Sequence, residues 1–224
     1  MRITYPRMLV FDFETTGLSQ MADNIIEVGA ILYELKDDKY IKKETFNALI
    51  KQERPISEFI SNLTHITNDM LDSDGIDEEI AFRTLDAMID DQTLCVAYNL
   101  AFDIGFLLKL YQKYVSRNYS IPFDILDCMA VYKDRYPYPH RLENAAATFE
   151  ITNENAHRAC DDAETTFEVL MKLQELEDNL GLYVNVLGYN PKYRAPDTYF
   201  FNKRIRVIPQ GMNGLRDIEK AQKG

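Results

Sequence analysis

The stretch Met8-Leu9-Val10-Phe11-Asp12-Phe13-Glu14 constrains the fold more than any other part of the chain. Met8 to Phe13 is apolar except for Asp12, which is how a central strand of a sheet covered on both faces reads. Asp12 and Glu14 stand two residues apart. On a strand that spacing puts both carboxylates on one face, about 7 Å apart along the chain. Two like charges buried side by side are costly, and one would ordinarily stay protonated. A divalent cation removes the difficulty, because two acids can share it and both stay ionised. The alternative is a strand end whose acids point into solvent, and the rest of the chain has to choose.

After Gly17 a polar loop, residues 18–24, leads to a second buried strand over residues 25–33. Asp37-Asp38 marks a turn, and residues 40–50 alternate as a third strand, so this pair must run antiparallel. Ser57 opens a short helix ending near Leu63. The pattern predicts a helix over 77–91 with Ile80, Ala81, Leu85, Met88 and Ile89 inward. A fourth strand, 93–98, is followed by a helix capped by Asn99, with Ile104, Leu107, Leu108, Tyr111 and Val115 as its stripe. Pro122 precedes a fifth strand, 123–126, then helical segments over 128–135 and 142–149. The last strong helix is predicted over 161–181, stopping at Gly181. A meander first and strand–helix alternation afterwards define an α/β class: a mixed five-stranded sheet with an antiparallel meander and helices on both faces.

Composition narrows the functional classes. A 224-residue chain that is 46% hydrophobic and 12% aromatic has ample core material for one large domain or a domain with an appendage. No apolar run reaches the ~18–20 residues of a membrane span, and the N-terminus has no signal-like core, so a cytoplasmic protein is expected. Cys95, Cys128 and Cys160 are odd in number and unpaired in spacing, which fits reduced thiols rather than a zinc site or disulfides. The net charge is −11. Residues 1–184 hold 17 Lys+Arg against 33 Asp+Glu, and residues 185–224 hold 8 against 3, so −16 and +5 give that sum. An acidic body argues against gripping long duplexes by counterion release, and permits a pocket for a few nucleotides.

Three further pieces carry chemistry. Asn99-Leu100-Ala101-Phe102-Asp103 leaves a buried strand and enters a helix, where ligands of α/β sheets bind. Asp103 alone would pass for an acid complementing a helix dipole. His157-Arg158-Ala159-Cys160-Asp161-Asp162 places an acid five residues after one of three histidines. Alone it would pass for a cap beside a surface histidine, the reading also given to His140. Leu63-Thr64-His65-Ile66-Thr67 is a small apolar loop bracketed by hydroxyls, ordinary as a turn.

Together, in the order Asp-x-Glu, Asn-x-x-Phe-Asp, His-x-x-x-x-Asp, these pieces resemble the DEDDh (DnaQ-like) 3′–5′ exonucleases. The likeness is greatest to the epsilon subunit of bacterial DNA polymerase III and the exonuclease region of polymerase C. It covers roughly residues 7–176 and implies a ribonuclease-H-like fold with two-metal hydrolysis of the terminal phosphodiester. Asp12, Glu14, Asp103 and Asp162 would bind two divalent ions, Mg²⁺ or Mn²⁺, with Asp12 bridging them. The five-residue step from His157 selects Asp162 over Asp161, which is left as a surface acid. His157 would be the general base, since imidazole titrates near working pH. The implied substrate pocket carries over to Thr15, Thr16, Leu18, His65, Ile66, Asn99 and Phe102, with Ile66 and Phe102 holding the frayed base. Relatives commonly read Thr-Gly-Ile-Thr where this chain has His65, which leaves either a tolerated side chain or a nucleotide contact.

The resemblance implies an exonuclease domain over 1–182 and leaves 183–224 as a basic, aromatic extension. There Tyr189, Tyr193, Tyr199, Phe200 and Phe201 alternate with Lys192, Arg194, Lys203, Arg204 and Arg206, and no helical pattern is seen over 183–209. That segment reads either as a stacking track for single strands or as a strand pair docked on the acidic body. The expected substrate is single-stranded or frayed DNA in proofreading or repair, with a DNA polymerase subunit as partner and no membrane. An RNA 3′–5′ exonuclease like ribonuclease T or oligoribonuclease is the rival, although Thr-Thr-Gly after Glu14 looks more like the DNA proofreaders. A non-catalytic replisome module is the other, disfavoured because all four acids and the histidine are present.

Overall fold

The computed structural model describes residues 2–153, 155–213 and 215–223. Its centre is a five-stranded sheet in the order β3-β2-β1-β4-β5. β1 (Arg7–Thr15), β2 (Ile25–Lys36) and β3 (Lys39–Leu49) form an antiparallel meander; β4 (Thr93–Ala97) and β5 (Asp124–Asp127) continue it in parallel from β1. The β2–β3 link is the two-residue turn Asp37-Asp38, both with positive φ (50° and 61°), which matches the twist of a tight hairpin.

Alternation along β1 sorts the two cores. Leu9, Phe11 and Phe13 face α3 (Glu78–Ala87) and α4 (Leu100–Tyr114). Met8 and Val10 face α5 (Cys128–Arg135) and α7 (Ala159–Leu176). Asp12 and Glu14 continue the second row, so they emerge on the α7 side. Gly29 of β2, in register with Asp12, lies beneath the start of α7. A Cβ there would sit 2.2 Å from the Ala159 carbonyl carbon and the Cys160 nitrogen, so only glycine lets the helix come this close.

Several elements depart from expectation. α1 (Glu58–Thr64) is followed by a further helix, α2 (Asn68–Asp74), which the apolar spacing did not reveal and whose N-cap is Thr67. In α3 Ile80 is 56% exposed, and Phe82 takes the core position instead, edge-on to Tyr111 and stacked on Tyr114. Val115 lies just past the end of α4 and is exposed. α7 stops at Leu176 rather than 181: Glu177 is extended (φ −144°, ψ 111°), and Arg135 donates to the carbonyls of Leu173 and Glu177 at that end. α6 (Leu142–Thr148) precedes α7.

The C-terminal residues pack on the body. β6 (Val186–Tyr189) and β7 (Arg206–Pro209) pair in parallel, and α8 (Asp217–Lys223) closes the chain. Tyr183 and Phe201 are buried, whereas Tyr193 and Tyr199 are exposed. Among the described residues no helix is long and apolar enough to cross a membrane.

Candidate active site

The carboxyl end of β1 opens into a cleft of about 650 Å³, lined by Asp12, Glu14, Asp103, His157 and Asp162 together with Leu18, Asn99 and Phe102. Three separate stretches of sequence meet there. Glu14, His157 and Asp162 each bring one ligand atom to within 4.8 Å of the others. Asp103 enters from α4, and one carboxylate oxygen accepts the Phe13 N–H at 3.1 Å, between the two strand acids. Asp162 is held in the first turn of α7, accepting from the Asn153 amide at 2.6 Å and from the His157 N–H at 3.2 Å. Asp161 points elsewhere and accepts from the Asn155 amide.

Electrostatics make the group unusual. Burial first, then Asp162 and Glu27, push Asp12 well above the ordinary carboxylate range. Burial and the neighbouring acids raise Glu14 to about 9. Asp103 rises through burial and Asp12, against the opposing Phe13 N–H; Asp162 rises through burial, against Asn153 and the His157 N–H. The nearby guanidinium of Arg158 is committed to Glu27, donating to both its oxygens at 2.6–3.2 Å. Four clustered carboxylates without a cation of their own are a poor resting state and a good set of hard oxygen donors for divalent ions. The donor chemistry therefore fits a divalent metal.

Of the remaining residues singled out in the sequence, Thr15 bonds its hydroxyl to the Gly17 carbonyl and Thr16 to Asp23; neither lines the cleft. Leu18 is 86% exposed on its rim. His65 and Ile66 also lie outside its walls. Ile66 is fully buried among Ile26, Ile56, Ile60 and Leu71, so its side chain offers no face to a base, a correction to the sequence reading. His65 occupies the left-handed end of α1 at φ 59°, a conformation that glycine adopts freely. Asn99 stands at the expected cap of α4 but makes no side-chain cap; it too is left-handed, and its N–H donates to Asp127.

The sequence reading missed other parts of the site. His140 is buried, not on the surface: its ring meets the Tyr136 carbonyl at 3.0 Å, and burial lowers its pKa. Glu143 lies 3.9 Å from His157 Nε2. Glu27, in register with Glu14, has no exposure and accepts the Ala159 N–H as well as Arg158. Its signal was present, as the single acid in the otherwise apolar run 25–33.

A ribonuclease-H-like sheet with acids from β1, α4 and α7 in one cleft defines a nuclease class of protein. A model of the exonuclease family RNase_T matches residues 9–170. The chain belongs to that family, the DnaQ-like 3′–5′ exonucleases, which use divalent metals. It is 32% identical over 193 residues to the PolC-type DNA polymerase III of Lacticaseibacillus paracasei, covering 85% of this chain and 13% of that protein. It is 35% identical over 189 residues to the Bacillus subtilis protein of the same name, covering 77% and 12%. The chain thus spans only a small part of these curated relatives. In fold it resembles E. coli exonuclease I in complex with single-stranded DNA (TM-score 0.67, 18% identity, 80% of this chain and 43% of that one). Exonuclease X bound to 5′-overhanging duplex DNA gives a TM-score of 0.56 at 18% identity, covering 76% and 93%.

Proposed function

We propose that the chain is a metal-dependent 3′–5′ exonuclease releasing nucleoside monophosphates from single-stranded or frayed DNA. One observation carries the reading: Glu14, His157 and Asp162, from distant stretches, converge within 4.8 Å beside Asp12 and Asp103. Asp12, Glu14, Asp103 and Asp162 would hold two divalent ions, Mg²⁺ or Mn²⁺. When bound, such ions offset the clustered negative charge, acidify water and stabilise the leaving 3′ oxygen. His157, 41% exposed, takes the proton of the attacking water on its imidazole and passes it to solvent. Glu143 supports the imidazolium so formed. Leu18 and Phe102 offer apolar faces to the terminal base, with Asn99 at the mouth and the Thr15–Thr16 backbone near the sugar.

Residues 1–182 would carry catalysis and 183–224 form the extension. Proofreading beside a DNA polymerase is the biological role this reading favours, supported by the PolC-type relatives. The test is digestion of matched 5′-labelled DNA and RNA oligonucleotides with Mg²⁺, with Mn²⁺ and with chelator. A metal-dependent ladder shortening from the DNA 3′ end, slower on RNA, is expected. Faster RNA shortening moves the substrate to RNA, and no shortening of either returns the chain to a non-catalytic role.

A further inference from the structure

A second cleft, of about 730 Å³, opens on the far side of Phe102, and Phe102 and Asn99 line both. Its floor is one face of α4, where Ala101, Gly105, Leu108, Lys109 and Gln112 follow at helical spacing. From Ala101 to Gln112 the helix advances about 16 Å, at ~1.5 Å per residue, directly away from the acids. The opposite wall is the C-terminal segment carrying Arg194 and Phe200. That wall is anchored: the Phe200 carbonyl accepts the Ile121 N–H at 2.8 Å, and the Asn202 amide donates to the Phe123 carbonyl at 2.9 Å.

The lining is a mixture of apolar surface and uncompensated positive charge. Arg194 is exposed and has no ion pair among the described residues. Lys109 donates to the Asp23 carbonyl and the Asn24 amide oxygen, so no carboxylate cancels its charge. Asp197 is the one acid on the walls. On the ridge between the clefts, Gln20 donates at 3.1 Å to the carbonyls of Ala101 and Phe102. It lies flat there because Gly105 has no side chain; a Cβ would meet the Gln20 amide at 2.2 Å or less. In a chain of net charge −11, a cationic, aromatic furrow that shares a wall with a cluster of acids has one fitting occupant. Bases stack on apolar and aromatic faces, and phosphates seek lysine and arginine.

We propose that this second cleft is the upstream subsite for a single DNA strand, holding the nucleotides 5′ of the scissile bond. Phosphates run toward Arg194 and Lys109, bases rest against Phe200 and Leu108, and Phe102 separates the terminal base from the one before it. The furrow accommodates roughly four nucleotides at a stacked spacing of ~3.4 Å. The inference rests on the exonuclease reading above and assigns the C-terminal segment a part in substrate length preference.

The test compares wild type with Arg194→Glu and Phe200→Ala on a dinucleotide and on a twelve-nucleotide oligo(dT). Binding of the labelled twelve-mer is measured in parallel, with calcium in place of the catalytic metal. Arg194→Glu is expected to raise KM and Kd for the twelve-mer about tenfold and to reduce the salt slope of log Kd by at least about one. Dinucleotide turnover should stay within about twofold. Phe200→Ala, which leaves the charge intact, should weaken the twelve-mer without changing that slope. Equal losses on both lengths, or none on the twelve-mer, overturn the subsite while leaving the exonuclease reading in place. Tighter binding of a matched RNA twelve-mer overturns it as a DNA subsite. A wild type that cuts neither substrate removes the exonuclease reading and the subsite together.

Discussion

Asp12 and Glu14 ride on a strand whose backbone pairs with β2 along its length, whereas His157 and Asp162 sit at the irregular entry to α7 and depend on side chains. The strand acids are held by that ladder to β2. The helix entry is seated by Glu27, which takes both Arg158 and the Ala159 N–H, by Asn153 on Asp162, and by the close approach over Gly29. Half of the site is thus fixed by the ladder and half by a few contacts outside the cleft. Substitutions that never touch substrate should therefore damage the second half selectively.

The largest effects are expected within the cleft. Asp12→Ala and His157→Ala should each lower turnover by roughly 10²–10⁴-fold with the unfolding transition retained, read by the ladder assay and by thermal denaturation. A fully active His157→Ala would remove the histidine as base. Next comes Gly29→Val, whose side chain must push α7 off the sheet. It should cost about 1–3 kcal/mol and, by displacing His157 and Asp162, about 100-fold in rate. If stability fell while the rate held, the seating of α7 would not govern the site.

Glu27→Ala sharpens the comparison further. It strands Arg158 and the Ala159 N–H, for a loss of about 1–3 kcal/mol in urea denaturation, and it should slow turnover while Glu27→Gln restores part of both. Unchanged turnover in Glu27→Ala would separate the buried pair from catalysis. The smallest effect lies on the α4 side. Burial raises Asp127 from 3.8 to about 6 against the N–H groups of Leu100, Ala130, Met129 and Asn99. An acid raised on folding favours the folded state below its unfolded pKa, and that advantage is lost as pH climbs through the folded value. Wild type should therefore lose about 1 kcal/mol relative to Asp127→Asn between pH 5 and 7.5. A constant difference over that range would mean that Asp127 is not strained by burial.

Much of this was legible in the chain. The run from Met8 to Phe13 announced the central strand, and the i, i+2 acids announced one shared face, because strand periodicity is strict. Position 162 rather than 161 came from the His-x-x-x-x-Asp motif of the family the chain resembles, and Asp162, not Asp161, lines the cleft. What stayed hidden depends on partners distant in sequence. Ile80 and Phe82 both suit a helix, and only the rings of Tyr111 and Tyr114 decide which one turns inward. His140 is tied inside by Tyr98, 42 residues away, whose hydroxyl donates to the His140 carbonyl. Arg135, 38 residues from Leu173, supplies the donors for the carbonyls at the end of α7.

One detail of the sheet has a consequence for motion. β4 pairs with β1 only from Arg7 to Val10 and then turns into α4, so the strand beyond Val10 is laddered on one side alone. The Phe13 N–H, left at this internal edge, finds Asp103 in place of a strand. The two halves of β1 should then breathe differently. Amide protons of Met8 to Val10 would exchange with solvent only through opening of the whole sheet, and those from Phe11 to Thr15 through smaller local openings. The acids are carried by the more pliant half, which can close on a bound ion or substrate while the rest of the strand stays fixed.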